Sequence, residues 1–204
     1  HPRRGVMSPG EFLGVADESG LLEAIDWQVF RKACIALPKL PQTQAYITLN
    51  VSPRHFQEDR FAERFLGLLD ELEVPHHRVR VELTEGTLLR HPMKVRSSLE
   101  RLIQFGVHTA LDDFGTGYSS LSYLHQFPLQ MLKIDRSFVT ALDEDDGSSG
   151  TAIVSAILAM AASLDLQVVA EGIETESQRS KLIHMGCRYG QGFLFARPQR
   201  VSLL

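Results

Sequence analysis

Strand-like and helix-like segments alternate along almost the whole of this 204-residue chain. That alternation constrains the fold more than any other feature, because strands joined through helices lie parallel in one sheet. Ala45–Val51, Arg78–Thr84, Val107–Leu111, Gln130–Ile134 and Gln167–Ala170 read as strands, with Arg188–Phe195 as the last. In the second of these, Val79, Val81 and Leu83 alternate with Arg80, Glu82 and Thr84, the period of a strand with two different faces. Helical spacing predicts Leu21–Leu37, Phe56–Leu72, Met93–Phe105, Thr151–Leu164 and Glu176–Met185 as helices. Ser8-Pro9-Gly10-Glu11 opens a further short helix with a capping box, and Gly20 ends it. About six strand–helix units follow one another, and either a doubly wound sheet or a (β/α) barrel satisfies them. A barrel typically takes about 250 residues, more than are present.

Polar residues gather where the strands end. Asn50 closes the first strand, Glu82 and Glu85 the second, Asp112 and Asp113 the third, Lys133 and Asp135 the fourth, Glu171 and Glu174 the fifth; Gln191 lies in the last. In a parallel barrel these ends meet at one rim, where chemistry in such folds is sited. Polar loops explain any one of these acids on its own, but five strands ending this way in succession ask for more. Two like charges about 4 Å apart repel by about 4 kcal/mol at an effective dielectric of 20, so cations must sit among them. Oxygen ligands without a His/Cys cluster suit a hard ion, Mg²⁺ or Mn²⁺. The eight histidines show no His-Glu-x-x-His pair and no zinc spacing. Asp112-Asp113 at a strand end allows one carboxylate to bridge two ions while the other serves the second, an arrangement suited to in-line displacement at phosphorus. The loop after it, Phe114-Gly115-Thr116-Gly117-Tyr118-Ser119-Ser120, lacks the third glycine of a dinucleotide fingerprint and the serine of a nucleophile elbow; it reads as a lid or a phosphate-facing turn.

Composition removes several classes. Lys and Arg number 21 against 25 Asp and Glu, a net charge of −4, so no basic stripe marks a nucleic-acid binder. Arg31, Arg54, Arg60 and Arg64 form a mixed charged surface. Cys34 and Cys187 are too few for a disulfide framework; they read as core residues in a reducing, cytoplasmic setting. The apolar run Ile153–Ala162 is too short to cross a bilayer, and no signal peptide precedes the body of the chain. Asp143–Gly150 fails as an EF-hand, since Gly147 falls at a ligand position and Val154 where the bidentate Glu belongs. Trp27 and Phe30 read as packing residues, and His76-His77 as a solvated turn.

Six motifs occur in order: Asn50-Val51-Ser52, Glu82-Leu83-Thr84-Glu85, Asp112 through Ser120, Leu132-Lys133-Ile134-Asp135, Ala170-Glu171-Gly172-Ile173-Glu174-Thr175 and Gly190-Gln191-Gly192-Phe193-Leu194-Phe195. Each is weak alone. Together, over essentially the whole chain, they closely resemble the EAL-domain family, the cyclic di-GMP phosphodiesterases of bacterial signalling. The resemblance implies an α/β fold, a TIM-like (β/α) barrel with one antiparallel strand, spanning residues 1–204 as a single domain. It implies hydrolysis of cyclic di-GMP to linear pGpG with two Mg²⁺ or Mn²⁺ ions, and Ca²⁺ as a candidate inhibitor. Asn50, Glu82 and Asp112 then resemble ligands of the first metal, with Asp112 bridging and Asp113 and Glu171 serving the second. Lys133 would contact the attacking water, and Gln191 would hold the water or the second metal's surroundings. Glu85 and Glu174, with Gly115, Thr116 and Gly117 in the loop, resemble supports of the rim; Asp135 matches a family position as a partner behind the ligands. The family's surface near Phe127-Pro128-Leu129 implies a homodimer, and its members sit behind sensor, receiver or GGDEF domains.

One departure stands out. The family's Glu-Ala-Leu motif lies just upstream of a His-Pro such as His1-Pro2. Its Glu, its Arg and the barrel-completing strands are absent, so the chain reads as an N-terminally truncated domain with weakened metal binding and turnover. Three rivals are weighed beside the hydrolase: a catalytically silent cyclic di-GMP receptor, an enolase-type Mg²⁺ enzyme and a scaffold. A receptor sheds metal ligands, whereas every downstream position is kept here. The Asp113–Ser120 loop and Gly190-Gln191-Gly192 have no place in an enolase-type site, and unneutralised rim acids do not suit a scaffold.

Overall fold

The computed structural model describes residues 1–40, 45–57, 60–115, 124–143 and 148–199. Six strands form one sheet in the order of the chain: β1 (Ile47–Asn50), β2 (Val79–Thr84), β3 (His108–Phe114), β4 (Met131–Ile134), β5 (Gln167–Ala170) and β6 (Tyr189–Gly190). Every pairing is parallel. The antiparallel strand that the family resemblance implies is not among the described residues. The sheet curls as a TIM-like half-barrel, so that Tyr46, just before β1, lines one cavity with Tyr189 and Gln191 at the other edge.

The helices are α1 (Leu13–Glu18), α2 (Leu22–Ala36), α3 (Phe61–Glu71), α4 (Glu85–Arg90), α5 (Pro92–Gln104), α6 (Arg136–Thr140), α7 (Ser148–Ser163) and α8 (Glu176–His184). They cover the convex face because the strands alternate. Val79, Val81, Leu83, Leu111, Leu132, Ile134 and Ala170 point outward into the main core. There they meet the apolar stripes of the helices, such as Phe61, Phe65 and Leu69 of α3 and Val95, Leu99 and Leu102 of α5. The intervening residues face the concave side. Ala110, Met131 and Val169 form a small inner cluster, and the next residues along the same faces are Asp112, Lys133 and Glu171.

The predicted elements hold with local differences. The helix expected over 56–72 divides into a 3₁₀ turn at Pro53–Phe56 and α3. The strand at 107–111 runs on to Phe114, with an irregular register against β4 between Leu111 and Phe114. The last strand is far shorter than expected. After Gly190 the chain folds around Ile173: the Leu194 N–H donates to Ile173 O at 3.0 Å and the Phe195 N–H to Gly192 O at 3.1 Å. Those donors are spent on a turn and cannot extend a ladder. Glu11 accepts from the Ser8 N–H at 2.7 Å, one arm of the expected capping box. Cys34 and Cys187 are both buried and free. Among the described residues no helix is long and apolar enough to cross a membrane.

Candidate metal centre

Lys133 organises the concave end of the sheet. As the third residue of β4 it points inward, between two outward-facing neighbours, Leu132 and Ile134. Its Nζ lies 3.0 Å from Glu82 Oε2, 3.1 Å from Asp112 Oδ1 and 2.6 Å from Glu171 Oε1. Those carboxylates come from β2, β3 and the residue after β5, so one ammonium ties four neighbouring strand ends together. Burial by itself would depress the Lys133 pKa, but Glu82, Glu171 and Asp112 outweigh it and hold the group well above its ordinary value. Lys133 is therefore charged.

The acids around it outnumber it. Glu82 and Glu171 have raised pKa values because burial outweighs the stabilising pull of Lys133. The Asp113 carboxyl is raised by burial and by the like charges of Asp112 and Asp135. A single ammonium thus leaves this cluster short of positive charge. Oxygens of Asp112, Asp113 and Glu171 lie within 4.8 Å of one another, a spacing that a cation among them would bridge. Asp113 reaches this place through an unusual backbone: its φ is +54°, left-handed, which turns consecutive carboxylates toward one side, and its N–H donates to Asp112 Oδ1 at 3.1 Å.

The remaining expected residues take distinct places. Asn50 ends β1 in register with Glu82, at the exposed edge of the same concave face. Glu85 opens α4, and its Oε1 accepts the Gly115 N–H at 2.8 Å, where the loop begins; its Oε2 is buried with no hydrogen-bond partner among the described residues. Gly115, at φ +94°, lies against the Phe138 ring. Thr116 and Gly117 lie outside the described residues. Asp135 caps α6 by accepting the Ser137 N–H at 2.9 Å. Glu174 pairs with Arg136 at 2.8 Å and so joins the start of α6 to the loop after β5. Gln191 is exposed; its backbone N–H donates to Ala170 O at 2.8 Å and its carbonyl accepts from the Ile173 N–H at 3.0 Å. Arg136 and Phe138 escaped the sequence reading. Their partners are distant in the chain, and only their place within three residues of Asp135 pointed to them.

The EAL domain model matches residues 1–198. The chain belongs to the EAL domain family. Among its relatives is the cyclic di-GMP phosphodiesterase RocR of Pseudomonas aeruginosa, 38% identical over 200 residues, covering 97% of this chain and 50% of that protein. The chain therefore spans about half the length of RocR, and 30% of the bifunctional diguanylate cyclase/cyclic di-GMP phosphodiesterase MucR of the same organism. The structure of the MucR phosphodiesterase in complex with c-di-GMP superposes with a TM-score of 0.92 at 38% identity, over 100% of this chain and 83% of that one. The Klebsiella pneumoniae BlrP1 calcium/cy-diGMP complex matches with a TM-score of 0.77 at 29% identity, over 87% of this chain and 45% of that one.

Proposed function

We propose that residues 1–204 act as one EAL-type domain of a metal-dependent phosphodiesterase that hydrolyses cyclic di-GMP to linear pGpG. The observation that carries this reading is the ring of Glu82, Asp112 and Glu171 around Lys133, with Asp113 beside it. An anionic phosphodiester would be repelled by such a rim unless cations were added. The donor set is all oxygen, which fits Mg²⁺ or Mn²⁺. Asn50, Glu82 and Asp112 would hold one ion, and Asp112, Asp113 and Glu171 the second. Bound there, the ions would neutralise the rim and act as Lewis acids toward the phosphodiester.

This chain's own residues do the rest. Lys133 holds three carboxylates in register and offers positive charge where charge grows on phosphorus. Gln191, directly after β6, would orient the water. Glu85 fixes the turn at Gly115, and the exposed Arg136–Glu174 pair links the start of α6 to the loop after β5. In the reaction the water oxygen would bond to phosphorus and give up a proton while the bond to the 3′ oxygen breaks, and that oxygen would take up a proton to leave as the hydroxyl. Homodimer formation, further domains in the same protein and a cytoplasmic site of action belong to the same reading; the greater length of RocR and MucR supports the further domains.

The test is incubation of the full chain with cyclic di-GMP and Mg²⁺, Mn²⁺ or Ca²⁺ in turn, with products separated by chromatography. pGpG is expected with Mg²⁺ or Mn²⁺ and not with Ca²⁺, and Asp112→Asn should abolish it. Binding without product under every ion would replace the enzyme with a receptor.

A further inference from the structure

Asn50 stands at the end of an edge strand. Among the described residues β1 pairs only with β2, and the last backbone bond on that side runs from the Val51 N–H to Glu82 O at 2.8 Å. Past this point α4 and α5 pack against the turn at 53–56, and from the opposite direction it is held by the helices that precede β1. Asp26 on α2 aims its carboxylate at the turn that follows Asn50. Its Oδ2 accepts a long hydrogen bond from the Ser52 N–H at 3.4 Å and lies 3.0 Å from His55 Nε2.

This contact is shielded. The His55 side chain is 1% exposed, and the rings of Trp27, Phe30 and Phe61 surround it with centroids 5.6, 5.7 and 5.1 Å away. In such surroundings a charged hydrogen bond is strong, and its loss leaves a buried polar group without a partner. A second tie, Arg54 Nε to Asp17 Oδ1 at 2.7 Å, is exposed and worth little by comparison. Ser52 Oγ is buried with no partner among the described residues, so none of them is tied to the turn by the serine hydroxyl.

We propose that Asp26, acting with His55, is a positioning residue for Asn50: one carboxylate on α2 fixes the turn at 52–55 and so the place of the Asn50 amide at the acidic rim. The proposal rests on the reading of Asn50 as a ligand of a divalent cation. A neutral amide oxygen adds to such a site only when it is held close to the productive geometry. A strand end anchored on one side alone leaves it free to wander.

The test is a double-mutant cycle read by calorimetric titration of the full chain with Mn²⁺ in the absence of substrate. The variants are Asp26→Ala, Asn50→Ala and the pair together, with thermal melts confirming that each folds. Residues that orient a metal ligand typically change affinity by about 10- to 100-fold. Asp26→Ala, which removes the one oxygen that meets both Ser52 and His55, is therefore expected to weaken Mn²⁺ binding by about 10-fold, Asn50→Ala by at least as much, and the pair no more than Asn50→Ala alone. His55→Gln, which keeps a donor for Asp26, should bind like the parent; His55→Leu should follow Asp26→Ala and serves if that variant does not fold. Losses that multiply in the pair, or an Asp26→Ala variant that binds normally while Asn50→Ala is weakened, overturn the positioning role alone. Normal binding by Asn50→Ala overturns the ligand reading of Asn50 and the proposal with it.

Discussion

Lys133 Nζ sits 2.6 Å from Glu171 Oε1, closer than to either of its other carboxylate partners. The contact joins β4 to the residue after β5, and the same ammonium reaches back to β2 and β3. Lys133 is thus a structural hub before it is anything else. Its side chain is 8% exposed and that of Glu82 3%, so removing the ammonium leaves carboxylates buried without their counter-charge.

Lys133→Met is accordingly expected to lower the stability of the metal-free chain by about 3 kcal/mol, the usual scale for breaking a buried ion pair by removing one partner. The shift in urea midpoint measures it. Mn²⁺ should restore more stability to this variant than to the parent, because the ion replaces a lost positive charge. An unchanged midpoint would mean that the carboxylates are already neutral.

Asp113 separates the role of its backbone from that of its side chain. Its φ of +54° is tolerated by Asp and Asn but strains β-branched residues. Asp113→Asn removes a like charge from the cluster, so it should hold or raise the urea midpoint of the parent, and it should lose Mn²⁺ affinity. Asp113→Val should lose the affinity and also about 1–2 kcal/mol of stability. Equal stability of the two variants would contradict the left-handed turn.

Much of this was legible in the chain, and for identifiable reasons. The alternation of Val79, Val81 and Leu83 with Arg80 and Glu82 assigns each residue to a face, since a strand has a period of two. The acids at 82, 112 and 171 could therefore be placed at one rim. Lys133 as the centre of the ring was not legible: spacing says that it points inward, but not which carboxylates curl toward it. The short β6 was hidden because Gly190–Phe195 has strand-like composition, while its backbone donors go to Ile173 and Gly192. The Arg136–Glu174 pair needs the start of α6, after β4, to meet the loop after β5, which the parallel pairing of these two strands brings about.

His108 should impose a pH dependence on stability away from the metal centre. It begins β3, and its pKa is depressed below the ordinary 6.5 by burial and by the positive charges of Arg80 and His77. Above 6.5 neither the folded nor the unfolded chain holds the proton, so the group contributes nothing. As the pH falls below 6.5 the unfolded chain takes up a proton that the folded chain refuses, and stability declines until the depressed folded value is passed. His108→Gln should flatten this part of the profile. Urea midpoints at about pH 7.5 and 5.5 test it, and an equal fall in both proteins would assign the effect to other groups.

Gly115 couples the loop after β3 to α6 and offers the sharpest steric test. Its φ is +94°, and a Cβ there would lie 2.7 Å from Phe138 Cε2 and 2.9 Å from Cζ. Its N–H is also committed to Glu85 Oε1 at 2.8 Å, so the residue cannot move away without giving up that bond. Gly115→Ala should therefore cost about 1–3 kcal/mol, part from the backbone and part from the ring. Phe138→Leu in the same chain removes the ring but not the backbone strain. The double variant should recover stability relative to Gly115→Ala, whereas Phe138→Leu alone loses packing in an intact core. Because Asp113 lies two residues upstream, Mn²⁺ affinity should fall in Gly115→Ala and return in part in the double variant. If the second substitution recovers neither stability nor affinity, the backbone at Gly115, and not the pressure of Phe138, sets the position of the loop.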